Sequence, residues 1–501
     1  MDCQSFLMRS LFTCGLVALF LFCVALFSQS SNPATAVSSV GFDVGSAGSS
    51  SMTAAEAPSL NTGYARIQAE AGKVLPAGMA IFSYRSGGVL VSEASVPAMP
   101  LMSSGRIYAE VGGTTRTGIA IVNPNAAAVT IDFYFIDANG TNFKQESITL
   151  DAYRQIAAFL NEAPFNSGAS VQGSFTFKAS RLVSAVALRG VTNERGEFLM
   201  TTLPVADPSR FSIDTLAIPQ FADGGGWTTE VALVNPGATT LTGKLDWRNQ
   251  AGQRVSLSGS YSIAPQSAKR YFSEGRGSAI QVGSIRITSD PVGGLRGGQQ
   301  PAPSAIGIYT YRSGGVTVTQ AGIPASRFDS THRLFVDNSG DSVRTGVAIA
   351  SWASIPINVT LELFRLDGTP AGLTGSLSIP PDGQTALFLN EIPGLGSMPP
   401  RFQGILRVMA TNPETGEPAG SIAVTGLRGR YNERGDFLIT TTLAAGENSL
   451  PTQSSELLFP HFALGAGYET QFVLFSPRPQ SSSGRMYFFN QNGTPMAVPL
   501  R

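Results

Sequence analysis

Acidic and basic side chains recur at matched places along this chain, and a facing pair of carboxylates is the usual machinery of glycosidic-bond cleavage. A catalytic pair is needed once, whereas these groups return in every repeat of the sequence. We therefore expect a structural lock at one end of each repeat, with Arg189 near Glu162 or turn carbonyls and Arg428 near Glu391. The predicted lock comprises Arg85, Arg189, Arg312, Arg428, Glu162, Glu274 and Glu391.

The two histidines, His332 and His461, are the natural candidates for a general base or a metal ligand. Neither has a second histidine three or four residues away. The sequence also lacks a Gly-x-Ser-x-Gly elbow, an HExxH motif, a P-loop and an Asp-rich calcium loop. We expect both histidines to be surface or linker residues, and we expect no enzymatic activity, no cofactor and no metal ion.

Two polar hairpin tips are the better places to look for a binding surface, because exposed loops often carry function. They share the sequence Asn-Glu-Arg-Gly, and a plain turn is the alternative interpretation. The candidate binding residues are Asn193, Glu194, Arg195, Asn432, Glu433 and Arg434.

A glycine run and the three tryptophans could each belong to a ligand site or serve the fold alone. The run Gly224–Gly226 after Asp223 could form a ligand loop, but a turn with positive φ is favoured because glycine adopts it without strain. The three tryptophans are expected in or near the cores, whereas an exposed row of them would suggest carbohydrate stacking. They are Trp227, Trp247 and Trp352.

The composition indicates several all-β domains. The chain has 501 residues, 43% of them hydrophobic and 14% charged, with 55 glycines and 31 prolines. A single core does not grow to this length, and short strands between Gly and Pro turns fit the low charge. The formal net charge is zero, so no broad attraction to nucleic acid is expected.

The amino terminus has the pattern of a secretory signal peptide over residues 1–36, with an apolar run after Arg9 and small residues near Ala36. An uncleaved amino-terminal anchor is the alternative. All three cysteines (Cys3, Cys14 and Cys23) lie in this segment, so the mature chain would contain no thiol and no membrane span. Residues 37–62 are rich in Ser, Gly and Ala without a period, which predicts a flexible linker. The signal peptide predicts a secreted or cell-surface protein.

The remaining sequence consists of repeats of two types, A and B. Residues 116–121 (RTGIAI) return as 344–349 (RTGVAI), and the hairpin sequence 82–97 returns as 309–324. Short strands with alternating apolar positions predict sandwiches of about seven strands. The pattern resembles the immunoglobulin-like β-sandwich repeats of bacterial secreted and cell-surface proteins, although the Cys…Trp…Cys signature is absent. The resemblance implies a tandem all-β array.

The predicted domains end in two incomplete modules. They are a B back half (63–100), A1 (104–207), B1 (214–327), A2 (332–447) and a B front half (455–501). The two halves could join within one chain to close a ring, join between chains by strand complementation, or stay unpaired in a truncated array. A joined pair is expected to lack most of one strand.

The sequence therefore favours a secreted, non-enzymatic repeat protein with a structural, adhesive or spacer role at the cell surface. Two alternatives remain open, namely a carbohydrate-binding module array and an accessory region of a secreted enzyme. The sequence identifies no partner beyond possible self-association through the terminal half-modules.

Overall fold

The computed structural model describes residues 35–54, 57, 59–291, 298, 300–338, 342–449 and 454–501. Residues 34–501 form one compact unit. The predicted signal peptide lies outside the described residues, except for its last two positions. Among the described residues, the regular elements are antiparallel strands and one short 3₁₀ helix, as the all-β prediction requires.

The strands fall into five consecutive groups. The first group is β1 (Thr35–Val37), β2 (Ser39–Val44), β3 (Ser49–Ala54), β4 (Asn61–Ala69), β5 (Ala77–Ser86) and β6 (Val89–Pro97). Set A1 is β7 (Met102–Gly112), β8 (Thr115–Val122), β9 (Val129–Asp137), β10 (Asn142–Leu150), β11 (Gln155–Phe159), β12 (Val171–Thr192) and β13 (Phe198–Leu203). Set B1 is β14 (Leu216–Asp223), β15 (Trp227–Val234), β16 (Leu241–Asn249), β17 (Gly259–Ile263), β18 (Ala268–Phe272), β19 (Gln281–Ser289), β20 (Ser304–Ser313), β21 (Val316–Pro324) and β22 (Ser326–Arg327).

The second half of the chain continues in the same way. Set A2 is β23 (Thr331–Asp337), β24 (Val343–Ser351), β25 (Ile357–Arg365), β26 (Pro370–Ile379), β27 (Gln384–Phe388), the 3₁₀ helix Leu389–Glu391, β28 (Gln403–Thr411), β29 (Ile422–Tyr431), β30 (Phe437–Thr442) and β31 (Ala444–Gly446). The last group is β32 (Leu457–Leu464), β33 (Tyr468–Phe475), β34 (Ser482–Asn490) and β35 (Val498–Leu500).

One strand order recurs along the chain. B1 has the sheets β17-β16-β19-β14 and β18-β15-β20-β21, and A2 has β26-β25-β28-β23 and β27-β24-β29-β30. A1 has the same neighbours, but its 22-residue β12 passes from one sheet to the other and joins them. In B1 and in A2, side chains from both sheets meet in one hydrophobic core. Each arrangement is therefore consistent with a two-sheet sandwich.

The two ends of the chain pair with each other. Strand β4 lies between β34 and β32 in one sheet, and β3 lies beside β33 in the other. We call these strands, β1–β6 with β32–β35, the closing set. Its two main sheets follow the same order as B1, so the first and last strands of one chain complete a fourth set.

The prediction of a flexible linker at 37–62 was wrong. Strands β2 and β3 occupy nearly half of that segment and contribute buried side chains, including Phe42, Val44 and Ala54, to the closing set's core. The segment has little apolar periodicity of its own, and its order comes from backbone pairing with β33 and β34. The joined half-modules were expected to lack most of one strand, and β2 and β3 fill the edges beside β34 and β33.

Buried polar side chains join the parts of each set. In each set, a buried threonine hydroxyl of one strand hydrogen-bonds the backbone of the strand before it. In B1 the Thr229 hydroxyl donates to the Ala222 carbonyl at 2.8 Å, and in the closing set Thr470 donates to Ala463 at 2.7 Å. The recurring threonines are Thr117, Thr229, Thr345 and Thr470.

The sequence Val-Asn-Pro ends β8 at residues 122–124 and β15 at residues 234–236, and its asparagine orders the loop that follows. The buried amide of Asn235 donates to the carbonyls of Thr239, Ile263 and Ala264. Asn123 makes the corresponding bonds in A1. A buried amide that satisfies several loop carbonyls explains how the loop remains ordered after the proline ends the strand.

Strand β2 tests the closure. Replacing Phe42, which is 5% exposed, with alanine should lower the free energy of unfolding by about 3–5 kcal/mol, because the closing set's core loses a packed ring. The exposed neighbour Asp43, replaced with alanine, should change it by less than about 0.5 kcal/mol. Urea unfolding measures both values, and equally small effects would show that the segment contributes nothing to the fold.

Candidate functional site

One hairpin strand from each of the four sets meets the others at the centre of the molecule. Strands β6, β13, β21 and β30 pack against one another and present mostly buried Ser and Thr side chains there. The backbone N–H of Met200 donates to the Ser92 hydroxyl at 2.8 Å, and the Thr441 hydroxyl donates to the Gly322 carbonyl. Hydrogen bonding between sets, in addition to apolar contact, therefore holds the centre.

The Asn-Glu-Arg-Gly tips belong to this centre, where each contacts a hairpin of a neighbouring set. Glu194 accepts the backbone N–H of Thr317 at 2.7 Å and pairs with Arg312. Glu433 accepts the N–H of Leu90 at 2.8 Å and pairs with Arg85. The candidate binding residues therefore bind other parts of the same chain.

The two tips also contact each other through reciprocal ion pairs. Arg195 approaches Asp436 to 2.7 Å, and Arg434 approaches Glu197 to 2.6 Å. The amides of Asn193 and Asn432 are buried and donate to the carbonyls of Thr317 and Leu90. We call these two tips and the hairpin residues that they contact the central clamp.

Hydrogen bonding within the clamp acidifies two carboxyl groups. The backbone N–H of Thr317, together with Arg312, lowers the pKa of Glu194 to about 2. Arg85, together with the N–H of Leu90, lowers the pKa of Glu433 to about 2. Both carboxylates are ionised at neutral pH, and in this form they stabilise the central clamp.

Beside the clamp, the arginines of the A sets are buried in ion-pair clusters between sets. Arg189 donates to Glu110 at 2.9 Å and to Gln320 of B1 at 2.8 Å, and Arg270 of B1 lies 2.8 Å from Glu110. Burial raises the pKa of Glu230, which lies 3.7 Å from Arg189. This cluster joins A1 to B1 through ion pairs and hydrogen bonds.

The corresponding cluster joins A2 to the closing set. Arg428 pairs with Asp337 of its own set, and it lies 3.4 Å from Glu93 of β6. Arg430 approaches the same Glu93 at 3.1 Å. The Arg428, Glu93 and Asp337 side chains are at most 9% exposed, so each charge depends on its partners for stabilisation.

The predicted partners of these arginines were wrong. Glu162 and Glu391 instead accept the backbone N–H groups of Phe159 and Phe388, three residues earlier. The exposed Glu274 pairs with Arg276. Each arginine meets one acid of its own set, Glu110 or Asp337, which lies at or near the end of the first strand of A1 or A2. Only the recurrence of these acids in the sequence could have indicated them.

Arg85 and Arg312, which lie in the hairpins of the closing set and B1, contact turn carbonyls, the second partner that the sequence allowed for the lock arginines. Arg85 donates to the Gly88 carbonyl and Arg312 to the Gly315 carbonyl, each at about 3 Å across its own hairpin. Gly224, Gly225 and Gly226 have φ values of 85°, 60° and 90°, which confirms the turn reading of that run. The carboxylate of Asp223 accepts the Gly275 N–H at 2.7 Å.

Two grooves lie at corresponding places between sets. The first groove, between A1 and the closing set, has a volume of about 530 Å³, and its apolar lining includes Phe82, Phe159, Leu188, Phe198, Met200 and Tyr468. The second groove, between B1 and A2, has a volume of about 280 Å³. Its wall carries the larger Trp227 and Tyr309 where the first groove has Tyr468 and Phe82.

Neither histidine is a surface or linker residue, so that prediction was wrong. His332 is 3% exposed and its Nε2 lies 3.0 Å from the Ile422 carbonyl. His461 is half-buried in the wall of the first groove, where burial lowers its pKa to about 4. It replaces Gln220 of the second groove.

The tryptophans form no row for carbohydrate stacking. Trp247 is 1% exposed in the B1 core, while Trp227 stacks on Tyr311 at 4.7 Å. Trp352 is covered by the Arg286 guanidinium at 3.2 Å from the ring centre. The expectation that they lie in or near the cores is confirmed.

Comparison with known proteins adds no family. No protein-family model matches the chain, and no curated protein matches it. It is similar to the structure of the infectious bursal disease virus Gx strain, with 8% identity over 78% of this chain and 81% of that chain at a TM-score of 0.13. It is also similar to the infectious bursal disease virus VP2 subviral particle, with 8% identity over 81% of this chain and 82% of that chain at a TM-score of 0.12. Such low scores carry no argument.

The described part of the chain shows neither a membrane-spanning helix nor a metal-binding cluster. Over that part of the chain, no helical segment has the length and hydropathy that a membrane span requires. The same residues contain no group of three or more His, Cys, Asp or Glu side chains placed to hold a metal ion.

The clamp predicts a loss of stability in acid. Because the pKa of Glu433 is lowered in the folded chain, its contribution is present above the ordinary value of 4.5 and disappears as the pH falls towards 2. The side chain is 45% exposed, so Glu433→Gln should cost less than about 1 kcal/mol at pH 7 and nothing near pH 2. Urea midpoints across this range measure the difference, and a pH-independent difference would contradict the assignment.

The buried cluster predicts a larger effect. Replacing Arg428 with alanine removes one of the two arginines that contact the buried Glu93 and breaks the buried pair with Asp337, and should cost about 3–5 kcal/mol of unfolding free energy. The exposed Arg344 of the same set, replaced with alanine, should cost less than about 0.5 kcal/mol. Similar midpoints for the two variants in urea unfolding would refute the conclusion that the Arg428 cluster holds A2 to the closing set.

Proposed function

We propose that the chain is a scaffold of four β-sandwich modules of alternating A and B types, with the fourth module shared between the two ends of the chain. The common strand order and the four recurring threonines support this organisation. In B1 and in A2 the first two strands lie in different sheets, as β32 and β33 do in the closing set, whereas strands A and B of an immunoglobulin domain are neighbours. The immunoglobulin resemblance is therefore retained for the sandwich architecture alone.

On this scaffold we base a structural, adhesive or spacer role for a secreted protein at the cell surface, without enzymatic activity. The observation that carries the proposal is the pairing of β2–β4 with β32–β34, which satisfies the terminal strands within one chain. A closed unit whose parts are joined by buried ion pairs suits a structural role at a surface. Because the terminal strands already pair with each other, the proposed unit is a monomer and not a head-to-tail fibre.

The surface role can be tested by expressing the full chain in a bacterium and locating it. Culture supernatant, intact cells treated with protease, and cell lysate are compared by immunoblotting. The proposal expects the chain in the supernatant or exposed to protease on intact cells, while a cytoplasmic reporter stays protected. A chain that remains in the lysate and is protected with the reporter would contradict it.

The assembly state of the purified chain is a separate test. Size-exclusion chromatography with light scattering should give the mass of one chain, about 52.5 kDa before any processing, across a wide concentration range. A ladder of multiples that grows with concentration would favour strand exchange between chains and would refute the monomeric unit.

A further inference from the structure

The first groove has the size and character of a small-molecule site. Ligand pockets commonly have volumes of about 300–1,000 Å³ and mostly apolar walls with a few polar groups. The first groove, at about 530 Å³, falls within this range, and the second, at about 280 Å³, does not. The two grooves share a place in the fold, so one molecule provides both the candidate and its control.

One polar group in this wall has a defined hydrogen-bonding state. The amide nitrogen of Gln155 lies 3.2 Å from Nδ1 of His461, and it also contacts the carbonyls of Gly63 and Pro460 at 3.1 and 2.5 Å. Because an amide nitrogen only donates, the tautomer that fits this contact accepts at Nδ1. The low pKa keeps the ring neutral, so its single proton is on Nε2. Among the described residues, no group accepts a hydrogen bond from this Nε2.

We propose that the first groove binds one small molecule that has an apolar body of about the size of two fused rings and one hydrogen-bond acceptor, and that His461 Nε2 donates to this acceptor. The aromatic side chains Phe82, Phe159, Phe198 and Tyr468 would cover the apolar body. This binding function is independent of the surface role, since it needs only the closed fold.

The test uses the purified full chain and 6-propionyl-2-dimethylaminonaphthalene, a neutral fluorescent probe with a naphthalene body and one ketone. Saturable binding of one probe per chain, with a blue shift of emission, is expected. Ala157→Leu places a larger side chain in the first groove and should weaken binding at least about tenfold, the equivalent of two buried methylenes. Its matched control, Ala386→Leu, changes the second groove and should leave binding within about twofold of the unmodified chain.

Tyr468→Trp provides a second variant that the fold already tolerates, because Trp227 occupies the corresponding place in the second groove. It should also weaken binding of the ketone probe while thermal unfolding stays unchanged. No saturable binding, two sites of equal affinity, or equal losses for Ala157→Leu and Ala386→Leu would overturn the site.

The role of His461 requires a second probe. N-phenyl-1-naphthylamine has a similar aromatic body but no carbonyl acceptor. His461→Leu should weaken the ketone probe by about fivefold, the usual worth of one hydrogen bond, and change the amine probe by less than about twofold. Equal changes for the two probes would overturn the assignment of His461 as the donor.

Discussion

Backbone pairing between the two ends of the chain is the constraint on which the rest of this structure depends. Strand β4 hydrogen-bonds on one side to β34 and on the other to β32, although the paired residues lie between 390 and 427 positions apart along the chain. Neither end could bury its apolar face alone, because each carries only part of a two-sheet core. Closing so long a loop has an entropic cost that grows only logarithmically with its length, so one complete set of strands can offset it.

The central clamp follows from that closure. Once the closing set is formed, β6 lies beside β13 and β30, and the Glu433 tip reaches the hairpin that carries Arg85. The Glu194 tip makes the corresponding contact with B1. The ion pairs would contribute little as isolated surface pairs, but the buried clusters around Arg189 and Arg428 specify which set lies beside which. Charge pairing thus adds selectivity to a contact that apolar burial alone would leave poorly defined.

The sequence indicated local features well and long-range ones poorly. The hairpins at 82–97 and 309–324, the turn at Gly224 and the all-β class follow from residue pattern, since each is fixed by neighbours in sequence. The order of 39–54 and the true partners of Arg189 and Arg428 depend on distant segments, so local periodicity could not show them. The groove at His461 was missed for the same reason, because its walls belong to two sets that meet only after closure.

The most direct test of the account is a cysteine crosslink between the two ends. Asp43 and Ser483 pair across β2 and β34, so Asp43→Cys and Ser483→Cys, with Cys3, Cys14 and Cys23 changed to serine, should form a link within one chain. Denaturing electrophoresis of the oxidised protein should show a single monomeric band, and peptide mapping should recover the two segments joined. A ladder of covalent multimers, or no link at all, would contradict intrachain closure.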